Sequence, residues 1–141
     1  MSEKSQPQIN RQPIATLSLI GSMIDGMFDD LQKQSVSLEA CRSKPHVLDD
    51  YTVKRVTNVY SSLGEDVWFY EQQLSRWKNL NLTPSQRHEV NRLSERIPAI
   101  KERITHILAL AEELKTGTID TILAKSDFEI GLEWLFGKRK L

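Results

Sequence analysis

The sequence has little cysteine, no net charge and no long apolar run, and each shortage excludes a class of protein. Cys41 is the only cysteine in 141 residues, so neither an internal disulfide nor a cysteine-based zinc site is available. Lys plus Arg and Asp plus Glu both number 19, so the basic excess typical of proteins that wrap nucleic acid is missing. No apolar run approaches the roughly 20 residues that span a bilayer. A single domain without membrane-spanning helices is therefore expected.

Signals for strands, for export and for catalysis are also scarce. The chain has no sustained period-two alternation and no Asn-Gly or Asp-Gly turn between apolar runs, so no β-sheet is expected. The apolar stretch 14–24 is interrupted by Thr, Ser and Gly, which argues against a signal peptide and favours the cytoplasm. Nucleophile elbows, phosphate-binding loops and dinucleotide fingerprints are absent, and neither His88 nor His106 follows a Glu by three residues. The sequence therefore predicts no enzyme, metal site or cofactor.

One apolar spacing is present, and it is repeated three times. In each of three segments, mostly apolar residues step by three and four, which puts them on one stripe of an α-helix. Three long helices therefore each need a partner that buries the stripe. The stripes are Ile14, Leu17, Gly21, Ile24, Phe28, Leu31, Ser35 and Leu38; then Val53, Val56, Tyr60, Leu63, Val67, Tyr70, Leu74 and Trp77; then Val90, Leu93, Ile97, Ile100, Ile104, Ile107, Ala111 and Leu114.

Departures from this coiled-coil-like spacing favour a compact bundle over a two-stranded coiled coil. Gly21 and Ser35 interrupt the first stripe, and Gly21 would let another helix approach closely. Pro98 removes a backbone hydrogen bond in the middle of the third helix, where a kink is expected. Short connections between the helices indicate antiparallel neighbours.

Turn and capping residues set the predicted boundaries. Residues 1–12 are polar and lack periodicity, which predicts a disordered tail, and helix one is expected from Pro13 to about residue 41. Asp49 or Asp50 can cap helix two, which continues to about residue 79. The capping box 83–86 opens helix three, which extends to about residue 115. The helical domain is thus predicted over 13–137, followed by a basic tail at 138–141.

The C-terminal segment is dense in apolar residues. A short helix is expected near 119–123, and a second capping box at 126–129 would open another short helix that ends before Gly137. Six apolar residues fall within 128–136, which is typical of a helix packed on several sides. The predicted fold is all-α: an antiparallel bundle of three long helices plus one or two short C-terminal helices, either complete or half of a dimeric bundle.

Aromatic residues that the stripes cannot bury mark a predicted partner interface. Trp68 and Phe69 fall on opposite sides of helix two, each about 130° from the centre of its stripe, so at least one should face solvent. Two interpretations stay open: a C-terminal helix covers one aromatic, or both belong to an interface with another subunit or protein. With Trp134 and Phe136, they form the predicted partner interface.

A basic face on helix three is the alternative site. Its basic residues fall within about 80° of one another on a helical wheel, and this ridge could follow a phosphate backbone. Nearby glutamates, Glu89, Glu95 and Glu102, cancel part of its positive charge. The face consists of His88, Arg92, Arg96, Arg103 and His106, of which Arg92, Arg96 and Arg103 are the candidate nucleic-acid contacts.

These observations predict a non-enzymatic cytoplasmic protein with an adaptor, structural or regulatory role. It would bind another protein, and most readily itself as a homodimer. The second hypothesis is a nucleic-acid-associated protein that uses the basic face and the basic tail. No cofactor and no membrane partner are expected, and the identity of the protein partner lies beyond the sequence.

Overall fold

The computed structural model describes residues 13–135, apart from the side chains of Ser126, Ile130, Glu133 and Trp134. This part of the chain is helical and contains no β-strand, which confirms the predicted all-α class. The predicted tails at 1–12 and 138–141 lie outside the described residues. The helices are α1 (Leu17–Ala40), α2 (Asp50–Lys78), α3 (Pro84–Leu114) and α4 (Ile119–Leu135), with short 3-10 turns at Ile14–Thr16, Pro45–Val47 and Lys115–Gly117.

The predicted capping residues begin helices α2 and α3. The Asp49 carboxylate accepts a hydrogen bond from the Thr52 N–H at 2.8 Å, which satisfies one free amide of the first turn. The Thr83 hydroxyl accepts from the Gln86 N–H, and the Gln86 side chain accepts from the Thr83 N–H, so the capping box is complete. Helix α1 begins later than predicted, because residues 14–16 form a 3-10 turn.

Helix α3 is the centre of the bundle and packs against both α1 and α2. All eight residues of its predicted stripe are buried, and Leu110 is buried beside them. Asp25 of α1 pairs with Arg92 of α3, and Arg42, just beyond α1, pairs with Glu113, so α1 and α3 run parallel. The short connection 79–83 turns the chain back between α2 and α3, which are therefore antiparallel.

Helix α4 is one continuous helix rather than two short ones. It runs through the predicted capping box at 126–129, because no proline interrupts residues 119–135. Its start is fixed to the start of α2 by side-chain hydrogen bonds. The Thr118 hydroxyl donates to the Asp50 carboxylate at 2.5 Å, and the Asp120 carboxylate accepts from the Asp50 N–H at 2.7 Å.

The glycines of the long helices differ in the space around them. A Cβ on Gly21 would lie 2.9 Å from the Glu89 carboxylate and 3.4 Å from Leu93, which is the close approach of two helices that the sequence predicts. A Cβ on Gly26 or Gly64 would meet no heavy atom within 4 Å. Among these three glycines, an added Cβ would therefore displace a neighbouring group only at Gly21.

Gly26→Ala and Gly64→Ala are each expected to raise the free energy of unfolding by about 0.5–1 kcal/mol, because alanine loses less backbone entropy in a helix. Gly21→Ala is the matched control. Its entropic gain is the same, but the new Cβ displaces the Glu89 carboxylate, so the free energy of unfolding should rise less. Urea unfolding followed by circular dichroism measures all three variants. A gain at Gly21 as large as at the other two positions would contradict the tight contact with Glu89.

Candidate protein-interaction surfaces

Trp68 and Phe69 both reach solvent on the outer side of α2. Their side chains are 46% and 42% exposed, and their ring centroids lie 5.0 Å apart in an edge-to-face arrangement. Val67 is buried in the core, and successive helical residues are rotated by 100°. Packing of Val67 therefore turns both aromatics outward, and the fold leaves the two rings side by side on the surface.

The helix surface beside Trp68 carries small residues. Ser61 and Gly64 precede Trp68 by seven and four positions, and Ser75 follows it by seven, so all three share its face of α2. All three are exposed. Small side chains let a second backbone come close. The indole of Trp68 therefore projects beside a shallow helical surface on which another helix can pack.

Helix α4 presents a second apolar surface. Phe128, Leu132 and Leu135 are spaced by four and three positions, so they share one helical face. Phe128 is 66% exposed and Leu135 is 75% exposed. In the single chain this face is therefore exposed, while the packing predicted on several sides of the segment stays a prediction. Two predicted interface groups, the Trp134 side chain and all of Phe136, lie outside the described residues.

A groove of about 460 Å³ lies between α1 and α2, which approach each other less closely than either approaches α3. Val59 and Met23 on its lining are half exposed. The apolar part of the lining consists of Met23, Met27, Leu31, Val59, Tyr60, Leu63 and Tyr70. The apolar stripes do not predict this groove, because a stripe shows which side of a helix is apolar and not how far apart two helices stand.

Two arginines of the predicted nucleic-acid face are held in ion pairs. Arg92 donates to both oxygens of Asp25, at 3.1 and 2.9 Å, and to Glu89 at 2.7 Å. Arg96 donates to Asp25 at 3.1 Å, and its guanidinium lies 4.4 Å from the centroid of the Phe28 ring. The hydrogen bonds from Arg92 lower the pKa of Asp25 and of Glu89. These contacts fix α1 against α3.

Arg103, the third arginine of that face, forms no ion pair with a described residue. A nucleic-acid face made of Arg92, Arg96 and Arg103 stays a prediction. Asp25 and Glu89 balance the charge on two of its three members, so this face attracts a phosphate backbone less than the helical wheel indicates.

The described residues contain neither a cluster of metal ligands nor a membrane-spanning helix. Within residues 13–135, no three His, Cys, Asp or Glu side chains whose positions are described lie close enough to hold a metal ion together. None of the described helices is both long and apolar enough to cross a membrane. Comparison of the chain with protein-family models, with curated proteins and with solved structures found no match.

Proposed function

We propose that this protein acts by binding proteins, first of all a second copy of itself, and that Trp68 and Phe69 anchor the contact. The observation that carries the proposal is the exposure of two large aromatic rings beside the buried Val67. Aromatic side chains that become buried at an interface supply a large share of its binding energy. The role we propose is non-enzymatic and cytoplasmic.

The apolar face of α4 supports the same role. Contiguous apolar surface on a protein marks a site of interaction, and a helix with apolar residues on all sides is typically buried. Phe128, Leu132 and Leu135 form such a surface on a helix that is already attached to the bundle at its other end. A second copy would bury this face, and Trp134 and Phe136 belong to the same segment of the proposed interface.

Replacing Trp68 and Phe69 together by alanine is expected to weaken self-association by about tenfold or more, because the rings no longer anchor the contact. The fold should persist, since both rings are exposed in the single chain. Sedimentation equilibrium over a wide concentration range measures the dissociation constant, and circular dichroism checks the helix content.

Tyr51→Ala is the matched control, because Tyr51 is an aromatic residue of the same helix and is 70% exposed. It is expected to leave the dissociation constant unchanged. A wild-type protein that remains monomeric at every concentration would overturn the proposal. A double variant that associates as tightly as the wild type would instead remove Trp68 and Phe69 from the interface.

A further inference from the structure

The groove between α1 and α2 combines an apolar floor with negative charge. Asp30 lines the groove together with Tyr60 and Tyr70. Burial raises the pKa of both tyrosines; the neighbouring carboxylate of Asp30 adds to the rise at Tyr60, and that of Asp66 adds to the rise at Tyr70. One carboxylate therefore lies beside each of the two tyrosines.

Neither carboxylate is neutralised by the described part of the chain. Asp30 and Asp66 are exposed and form no ion pair with a described residue, whereas Asp25 on the same helix as Asp30 is held by two arginines. Two cations, Lys54 and Arg55, line a neighbouring depression that shares Val59 with the groove, but neither lines the groove itself. A ligand that carries both apolar and cationic side chains would complement this surface.

The chain itself contains a segment of that composition. Residues 136–141 have the sequence Phe-Gly-Lys-Arg-Lys-Leu, with three consecutive bases between two large apolar residues. The segment directly follows Leu135 of α4. Helix α4 packs against the turns at 45–47 and 115–117 and against α2. A compact run of three positive charges complements the carboxylates of Asp30 and Asp66, and Phe136 complements the apolar floor.

The groove also adjoins the aromatic pair on α2. Asp66 and Phe69 are three residues apart, so their side chains are neighbours on the helix surface. A second copy that covers Trp68 and Phe69 therefore comes to lie at the rim of the groove. This continuity favours a second copy over an unrelated protein as the source of the basic segment.

We infer that residues 136–141 of one copy bind in the α1–α2 groove of a second copy, with Lys138, Arg139 and Lys140 facing Asp30 and Asp66. The inference rests on the proposed self-association. It adds a charged contact to the aromatic contact made by Trp68 and Phe69. In the twofold dimer that we infer, each copy places its basic segment in the groove of the other, so the two contacts are identical. Such a dimer is closed and does not extend into filaments.

Charge reversal tests the groove without disturbing the core. Asp30→Lys with Asp66→Lys is expected to raise the dissociation constant of the dimer about tenfold. Added salt screens the charges, so the dissociation constants of variant and wild type should become more similar as the salt concentration rises. The matched control is Asp29→Lys with Glu65→Lys, which makes the same change in net charge at adjacent exposed residues that neither line the groove nor raise the pKa of its tyrosines. The control should associate as the wild type does.

A mixing experiment isolates the contact itself. Reversal of the basic segment by Lys138→Glu, Arg139→Glu and Lys140→Glu is expected to weaken the dimer to a similar extent. When this variant is mixed with the Asp30→Lys, Asp66→Lys protein, both contacts again join opposite charges. Native mass spectrometry should then show a heterodimer whose affinity is close to that of the wild-type homodimer. Damage to the fold cannot produce such a rescue.

Four results would overturn the inference. The groove variant could associate as tightly as its control, or the mixture could bind no better than each variant alone. In either case, weaker self-association of the Trp68→Ala, Phe69→Ala protein would still support the proposed function. Charge reversal could instead lower the urea midpoint of unfolding and leave the mass of the assembly in solution unchanged. The contact would then stabilise the single chain, and the segment would bind in the groove of its own chain. A monomeric wild type would refute both the inference and the proposed function.

Discussion

Trp77→Ala is expected to lower the free energy of unfolding by about 3–5 kcal/mol, the largest effect of any single substitution considered for this protein. Trp77 is fully buried at the end of the apolar stripe of α2, and its side chain is the largest in the core. The substitution removes the whole indole ring and its packing contacts. It leaves a cavity that the surrounding helices can only partly close. Urea unfolding followed by circular dichroism measures the change.

Trp68→Ala is the natural comparison, because the same chemical change is made nine residues earlier at a half-exposed position. It is expected to lower the free energy of unfolding by less than about 1 kcal/mol. If the two substitutions had equal effects on stability, the assignment of one indole to the core and the other to the surface would be wrong. The pair therefore separates a tryptophan that holds the fold together from one that is available for binding.

Thr118→Val is expected to cost about 1–3 kcal/mol and to loosen α4 selectively. The side chain of Thr118 is fully buried, and its hydroxyl donates to Asp50 and accepts from the Thr121 N–H. Valine keeps the shape of the residue but removes the hydroxyl, so the half-buried Thr121 N–H loses its acceptor and the exposed Asp50 carboxylate loses a donor. Hydrogen exchange should show faster exchange for the amides of α4, while the amides in the middle of α3 change only by the loss in global stability.

Thr116→Val provides the control for that experiment. The Thr116 hydroxyl donates to the Glu113 carbonyl within the same turn, and the residue is exposed. We expect little change in stability and no selective change in the exchange of α4. A similar loss for both threonines would show that the buried hydrogen bonds of Thr118 do not attach α4 to the bundle.

The three stripes predicted the bundle because burial of an apolar stripe is the main driving force for packing helices together. Every stripe residue is buried or half-buried, including the interruptions Gly21 and Ser35. The sequence also predicted the helix starts at Asp49 and Thr83, because each cap accepts a hydrogen bond from an amide three residues further along the chain. Contacts of this kind depend on sequence separation alone, so they are visible before the chain is folded.

The interruption predicted inside the C-terminal segment was wrong for a related reason. The motif at 126–129 has the side chains of a capping box, but capping requires a non-helical residue at the cap position. Nothing in the sequence before Ser126 forces the chain out of the helix, so residues 119–135 continue as α4. Which of two compatible conformations such a motif adopts is decided by its surroundings.

The ion pairs across α1 and α3 required the folded structure. Arg92 and Asp25 are far apart in sequence, and the helical wheel of α3 assigned Arg92 to a solvent-facing basic ridge. Parallel packing of α1 against α3 brings the Asp25 carboxylate to 2.9 Å from Arg92 and 3.1 Å from Arg96. A wheel describes one helix at a time, so it cannot show which charges a neighbouring helix neutralises.

By itself, the sequence determined three long helices, their stripes, two of their starts and the residues that a stripe cannot bury, Trp68 and Phe69. These follow from the 100° rotation per residue and from hydrogen bonds between near neighbours in the chain. Only the tertiary structure decided that α3 is central, that α1 and α2 leave a groove between them, and that Asp30 and Asp66 beside it form no ion pair with the described residues. The spacing and direction of helices depend on how side chains from distant segments fit together, and that fit exists only in three dimensions.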